Sequence, residues 1–296
     1  MTRRILYSSF QTGSKLPGFV RYALASLSQT GFPTVLLTNN RVLDADSLRF
    51  LEHCRVELFL TENRGFDFGM WKRYLSGVPE EEFRTLKTLV LINDSMVYYQ
   101  NRFAEFFRRS EESFASMVSL TENQEDGIPY HLQSFFLYLK PPAISELKEH
   151  LALTAEAENM TEAILNFEVA LSQRMIRKNI PLGALFKTPK PVLFDYASLI
   201  ENGAGFVKRR LIEKRFDSEN IYHFLCHGES KALQTNYVRL IREKGNADPG
   251  FDFAWLSEIT NKPLTAKVAG FLRFYAGYLL GKLRLCKANA VKTISK

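Results

Sequence analysis

RVELFLTENRGFDFGMWK, residues 55–72, decides how the first half of the chain is read. Its opening RVELFL (55–60) is an apolar run that reads as a buried strand, and the segment from Phe66 reads as a helix continuing through Tyr74 and Leu75. Between them Asn63, Gly65, Asp67 and Gly69 crowd into one turn, with Trp71 and Lys72 just beyond. Glycine permits positive φ and lets another group come close to the backbone. A helix start offers unpaired N–H groups and the positive end of the dipole. An acid at such a turn suits the ribose or base edge of a nucleotide. Equally, the two glycines can serve a tight turn and Asp67 can cap the helix. The spacing is neither a GxGxxG fingerprint nor a P-loop.

Working outward, RRILYSSF (3–10), FPTVLLTNN (32–40) and TLKTLVLIND (85–94) read as further strands. LPGFVRYALASLSQTG (16–31) and DADSLRFLEHC (44–54) read as helices between them, the second opening on capping residues. Strands apolar on both faces and separated by helices predict a parallel sheet covered on both sides. Ligands in such sheets bind beyond the carboxyl ends of the strands. Those ends are YSSF, TNN, TENRGFD and INDS, all polar, and the pattern places them along one edge. ASMVSLTEN (115–123) and YHLQSFFLYLK (130–140) read as two strands in antiparallel sense about a polar loop. Helical segments follow at 143–153 and 159–178. From about 190 the chain is mostly helical and rich in Lys and Arg, including KRRLIEKR (208–215). The expected organisation is an α/β unit over 1–190, a helical extension packed on it over 191–264, and a basic amphipathic tail over 265–296.

The 296 residues carry a formal net charge of +7, with 46% hydrophobic and 24% charged residues, as in an ordinary globular protein. That charge permits an anionic partner, whether nucleic acid, a phosphorylated metabolite or an acidic membrane, and equally a solvated basic surface. Zinc-finger spacing, an RNP-like aromatic signature and a helix-turn-helix pattern are all missing, which sets nucleic acid aside. Three scattered cysteines (Cys54, Cys226, Cys286) form no CxxC pair, and MTRRILYSSF lacks the apolar core of a signal peptide, so a cytoplasmic protein is expected.

Asn93, Asp94 and Ser95 close the strand LVLINDSMVYY (89–99) with three oxygen-bearing side chains, the ligand type that Mg²⁺ or Mn²⁺ prefers; the same triplet can simply cap a turn. Glu168, in NFEVALSQRMIRKNI (166–180), is read at the beginning of a helix whose Val169, Leu171, Met175 and Ile176 face the core. A carboxylate there can act as a general base or merely complement the dipole. His131 and Gln133 alternate along one strand face and so can look into one cleft.

In this order, NRGFDFGMWKRYL, LVLINDSMVYY, SLTEN with HLQSFFLYLK, FEVALSQRMI and FVKRRLI resemble the rhamnan synthesis protein F family over roughly residues 3–215. The resemblance implies a bacterial polysaccharide-assembly glycosyltransferase with a GT-A-like (Rossmann-like) mixed sheet flanked by helices and a helical C-terminal extension. It places Asn63, Gly65 and Asp67 at the nucleotide, with the glycines giving it room and Trp71 and Lys72 bounding its pocket. It places Asn93, Asp94 and Ser95 at the metal and diphosphate, with Asp94 as metal ligand. Glu168 and Arg174 match the helix that carries the base, and His131 and Gln133 the strand that borders the acceptor. Because NDS supplies one carboxylate where Asp-x-Asp supplies two, any divalent cation is held more weakly, or Lys72 or the Lys208–Arg210 cluster shares its role.

The implied reaction moves a sugar from a nucleotide-diphosphate donor to a glycan or lipid-linked glycan with inversion; a rhamnosyl donor is suggested only by the family name. A non-catalytic nucleotide-sugar- or glycan-binding protein of the same fold is the alternative. A Rossmann oxidoreductase or methyltransferase lacks its glycine-rich first turn here, since YSSFQTGSK follows the first strand. AKVAGFLRFYAGYLLGKLRLCK (266–287) has uncharged runs too short to span a bilayer and reads as an interfacial helix for an anionic leaflet on the inner face of the cytoplasmic membrane, or as a helix packed on protein.

Overall fold

The computed structural model describes residues 2–124, 127–187, 196–213 and 237–260, together with position 276. The tail read at 265–296 lies outside them apart from that single position.

Strands β1 (Thr2–Ser9), β2 (Thr34–Thr38), β3 (Val56–Leu60) and β4 (Leu86–Asn93) form the parallel part of one sheet. The helices α1 (Gly18–Ser28), α2 (Ala45–His53) and α3 (Phe66–Gly77) connect them, with the short α4 (Glu80–Thr85) before β4. The sheet continues through β6 (Met117–Asn123), β7 (His131–Leu132) and β8 (Phe136–Leu139) in the order β3-β2-β1-β4-β8-β6-β7, and β9 (Leu182–Phe186) adds to β6 in parallel. β8 is antiparallel to both β4 and β6, so the sheet is mixed. A second, two-stranded sheet pairs β5 (Met96–Tyr98) with β10 (Phe206–Lys208) in antiparallel register, Lys208 opposite Met96.

Alternation along the strands divides the core between the two faces of the sheet, because successive side chains point to opposite sides. Ile5, Tyr7, Leu36, Val90 and Ile92 pack on one face, with α1, α5 (Phe103–Glu112), α9 (Tyr196–Glu201), α10 (Arg209–Glu213), α11 (Tyr237–Lys244) and α12 (Trp255–Thr260). Leu6, Val35, Leu37, Leu89 and Leu91 pack on the other, with α3, α6 (Ala143–Leu153) and the helix running from α7 (Met160–Glu162) into α8 (Ala170–Arg177). This is why β1, β2 and β4 read as unbroken apolar runs. RVELFL differs: among the described residues β3 pairs only with β2, only Val56 of the strand is buried, and Leu60 is 47% exposed, so this is an edge strand and not a buried one.

Two further readings are corrected. YHLQSFFLYLK is not one strand, because β7 stops at Leu132 and β8 starts at Phe136, with a turn through Ser134 and Phe135. Glu168 does not begin a helix. The helix starts at Asn159, whose side chain accepts from Glu162 N at 3.0 Å, and Glu168 falls in a π-helical segment, Ala163–Val169, between α7 and α8. Val169, Leu171 and Met175 are buried as read, but Ile176 is 44% exposed.

Candidate active site

The strand order reverses between β1, whose other neighbour is β2, and β4, whose other neighbour is β8. At such a switch point the connections leave in opposite directions and a crevice opens beyond the strand ends. The residues at that point are Ser8 and Ser9 of β1, and Asn93 and Asp94 at the end of β4. The two ends are tied by Asp94 N donating to Ser8 O at 3.1 Å.

Two carboxylates meet there, one from each side of the sheet. Ser8 shares the face of Leu6, over which α3 packs, and its hydroxyl donates to Asp67 Oδ1 at 2.8 Å; Asn93 Nδ2 donates to Asp67 Oδ2 at 2.9 Å. Asn93 is aimed by Ser95, whose N–H and hydroxyl both donate to its Oδ1. Ser9 shares the face of Tyr7, and its hydroxyl donates to Asp94 Oδ2 at 2.8 Å. Gln11 Nε2 donates to the same oxygen at 3.3 Å, and Arg209 Nη1 lies 3.1 Å from it. Gln11 is itself pinned to the end of β2 through paired bonds with Asn39 at 2.9 and 3.0 Å. Burial drives the Asp67 carboxyl up to about 7, helped by the negative charge of Asp94 and opposed by Ser8, Arg209 and Asn93. Burial also raises Asp94, against the pull of Arg209 and Ser9.

A third carboxylate lies one strand along. Asn93 N donates to Phe135 O at 3.2 Å, and Ser134, the preceding residue in that turn, donates to Glu168 Oε2 from its N–H at 2.7 Å and its hydroxyl at 2.5 Å. His131 Nε2 stands 3.5 Å from Glu168 Oε1, while its Nδ1 is 2.9 Å from Pro129 O. Two acceptors facing one imidazole favour the imidazolium. Burial pushes Glu168 up, but His131 and the two Ser134 bonds outweigh it and hold the carboxyl below its ordinary value; for His131, burial lowers and Glu168 more than offsets it. The wider turn of a π segment shifts the phase of the helix, and such segments occur often at functional sites. The Glu168 side chain is 15% exposed, so it meets solvent while being held at three points.

Basic residues close the edge. Arg209 N donates to Ser95 O at 2.8 Å, fixing the β10–α10 junction on the turn after β4. Lys208 carries its ammonium 6.0 Å from the Phe135 ring centre; burial lowers its pKa, and the charge of Glu168 partly restores it. Two adjacent side chains thus reach the two halves of the site, Lys208 toward Glu168 and Arg209 toward Asp94.

Asp67, Asn93, Asp94, Ser95, His131 and Glu168 therefore gather along this edge, and the remaining candidates do not join them. Asp67 makes no capping bond: the N-cap of α3 is Gly65, at φ +74°, and the Asp67 side chain leaves the helix for Ser8 and Asn93. Gly69 gives room to the chain itself, not to a nucleotide, since a Cβ there would fall 2.0 Å from Arg64 O. Trp71 is fully buried, packed edge-on against Phe68 with ring centres 4.9 Å apart, so it is core and not a pocket wall. Lys72 donates to Thr154 O at 2.9 Å at the end of α6. Arg174 pairs with Glu146 at 2.7 Å and Glu149 at 2.6 Å, which makes it structural. Gln133 turns toward β6, where its Oε1 accepts from Thr121 at 2.9 Å, while His131 goes to Glu168. Asn63 is exposed and lines, with Gly65 and Glu156, a surface depression of about 410 Å³.

The donor set does not suit a divalent cation, which prefers six or more oxygen ligands and usually several free carboxylate oxygens. Both Asp67 oxygens accept protein donors, and one Asp94 oxygen accepts from Ser9 and Gln11 and is already paired with the Arg209 guanidinium. No group of three or more His, Cys, Asp or Glu poised for a metal occurs among the described residues.

A mixed sheet with its polar residues at the carboxyl ends of β1 and β4, beside a topological switch point, defines a Rossmann-like α/β protein. Residues 34–244 match the family described as rhamnan synthesis protein F, RgpF, and the chain belongs to that family. The uncharacterized protein y4gN of Sinorhizobium fredii is 23% identical over 183 residues, covering 60% of this chain and 46% of that relative, so the chain spans about half of its length. Among solved structures, a cytidylyltransferase from Leptospira borgpetersenii matches with TM-score 0.37 at 10% identity, covering 70% of this chain and 89% of the other. A glycosyltransferase involved in glycosylation of the major capsid of PBCV-1 matches with TM-score 0.39 at 12% identity, covering 69% and 93%. Both structural likenesses are distant.

Proposed function

We propose that the protein is a glycosyltransferase that moves a sugar from a nucleotide-diphosphate donor to a glycan or lipid-linked glycan acceptor. The observation that supports this most is the convergence of Asp67, Asp94 and Glu168, remote in sequence, on the carboxyl-end edge of one sheet. The nucleotide lies beyond β1 and β4 beside Asp67. Glu168, held ionised at neutral pH, takes the proton of an acceptor hydroxyl as that oxygen bonds the anomeric carbon. The bond from that carbon to the diphosphate breaks with its electron pair on the departing oxygen, and the single displacement inverts the centre. Because His131 and Ser134 hold Glu168 a weak base, proton transfer runs late, with bond formation already advanced.

A thermal-shift panel of nucleotide sugars, followed by assay of released nucleoside diphosphate, tests this reading. Glu168→Gln is expected to keep donor binding and to lose about 10²–10⁴-fold in transfer. Undiminished turnover in that variant removes Glu168 from the mechanism.

One observation favours a protein that binds without chemistry: both Glu168 oxygens already have partners, as in a structural carboxylate. Tight donor binding with no turnover on any acceptor would select that reading. The basic segment 266–287 is proposed to hold the protein to an anionic membrane face. Co-sedimentation of the full chain with anionic vesicles, set against a 1–264 truncation, tests it; equal partitioning argues against a membrane role. No helix among the described residues is long and apolar enough to cross a membrane.

A further inference from the structure

We propose that Arg209 supplies the positive charge at the donor diphosphate in place of a divalent cation, so that donor binding and transfer proceed without metal. This rests on the glycosyltransferase reading above and deepens it. The guanidinium stands against the carboxylate that a cation would have to use, 3.1 Å from Asp94 Oδ2, and a cation brought to that carboxylate would meet its repulsion. Arg209 is built into the site and not merely near it: its N–H is bonded to Ser95 O, the preceding Lys208 is in register with Met96, and the guanidinium lies 5.9 Å from the Phe19 ring centre. Its side chain nevertheless remains 28% exposed.

Guanidinium carries five donors in a planar fork that matches phosphate oxygens. Nη1 serves Asp94 and Nε lies 3.4 Å from Glu213 Oε1, while Nη2 has no partner among the described residues. An arriving phosphate takes the Nη2 edge and then competes for Nη1. Asp94 keeps the donors from Ser9 and Gln11 when that happens, so releasing the guanidinium does not strand a buried charge. In the reaction the electron pair of the breaking bond comes to rest on the diphosphate oxygen, where a fixed guanidinium stabilises it. Lys208, next in the chain toward Glu168, extends the positive charge along the same edge.

Isothermal titration of UDP, GDP, CDP and dTDP into the full chain, in EDTA and again in excess MgCl₂ or MnCl₂, tests the proposal. The nucleotide that binds is expected to show affinities in EDTA and in metal that agree within about threefold. Arg209→Gln is expected to weaken it about tenfold or more, and Arg209→Lys to fall between, since lysine keeps the charge and loses the fork. Circular dichroism establishes that each variant is folded, and the EDTA comparison on the wild type needs no variant. Binding that disappears in EDTA and returns with metal overturns this proposal and leaves the glycosyltransferase reading standing. Equal affinity in Arg209→Gln and wild type overturns it as well. Failure of every nucleotide under every condition overturns both.

Discussion

Asp67 and Asp94 are two acids sharing one guanidinium and a small buried volume, and Asp67 carries the consequence. Its carboxyl titrates near 7 in the folded protein against 3.8 ordinarily, because burial and the neighbouring acid both oppose its charge. Between those values the folded state holds a proton that the unfolded chain has released. The stability tied to this group is therefore highest below about pH 4, falls as pH rises toward 7, and is level above that. Asp67→Asn removes the penalty and fits the site: the new amide oxygen can accept from Asn93 Nδ2, and the amide nitrogen can donate to Ser8 Oγ, whose proton turns to Ile92 O at 3.4 Å. Thermal unfolding is expected to show the variant gaining on wild type by a few degrees at pH 8 and hardly at all at pH 4.5; a difference independent of pH would refute the shared-charge account. Much of this was legible beforehand, because an acid ending an apolar strand or following one is expensive to leave there without purpose. What could not be read was the pairing. Whether Ser8 or Ser9 meets Asp67 depends on which face α3 covers, and Arg209 reaches Asp94 only through the pairing of β10 with β5.

At the scale of the element, the turn after β3 shows how two glycines can have different reasons. Gly65 adopts a left-handed conformation that opens α3, whereas Gly69 lies inside the helix, where glycine costs about 0.5–1 kcal/mol relative to alanine. It is there because the chain at Arg64 passes over it, its carbonyl held by Arg73 Nη2 at 2.7 Å, with Glu156 bridging Arg73 and Arg64 from the other side. Gly69→Ala is expected to cost about 2 kcal/mol or more, since backbone would have to move. Gly77→Ala, at the end of the same helix with nothing within 4 Å of the added carbon, is expected to be neutral or mildly stabilising. Urea unfolding of the pair checks this, and similar midpoints for the two variants would contradict it. The glycine pattern signalled a tight place in the sequence but not its occupant. The helix bearing Glu168 gave a clearer signal, since Asn159 and Glu162 have the spacing of a capping box and mark a start two turns earlier. The π segment left no comparable trace, because its apolar residues fit ordinary helical spacing just as well.

Across the whole molecule, described residues of 196–213 and 237–259 belong to the same core as the first strands. Tyr196, Ile200, Phe206, Leu211, Tyr237 and Ile241 pack in one cluster with Ile5, Tyr7 and Ile92, and Tyr22 donates to Asp248 at 2.5 Å. A chain ending at residue 190 is expected to lose cooperative unfolding and to aggregate, as it would expose that face of the sheet and leave Asp94 buried without its guanidinium; a soluble truncation with a sharp transition would show the later helices to be dispensable. The helical character of the described segments here, Tyr196–Glu201, Arg209–Glu213, Tyr237–Lys244 and Trp255–Thr260, was readable from composition, but β10, three residues long, was not. That short strand has a bearing on how the protein is made. A ribosome releases Ser9, Gln11 and Asp94 long before Arg209, so the nascent sheet passes through a period in which its central acids face one another with no cation to hold them. Long-range closure of this kind is slow compared with local helix formation, and the crevice is therefore among the last parts of the fold to be completed.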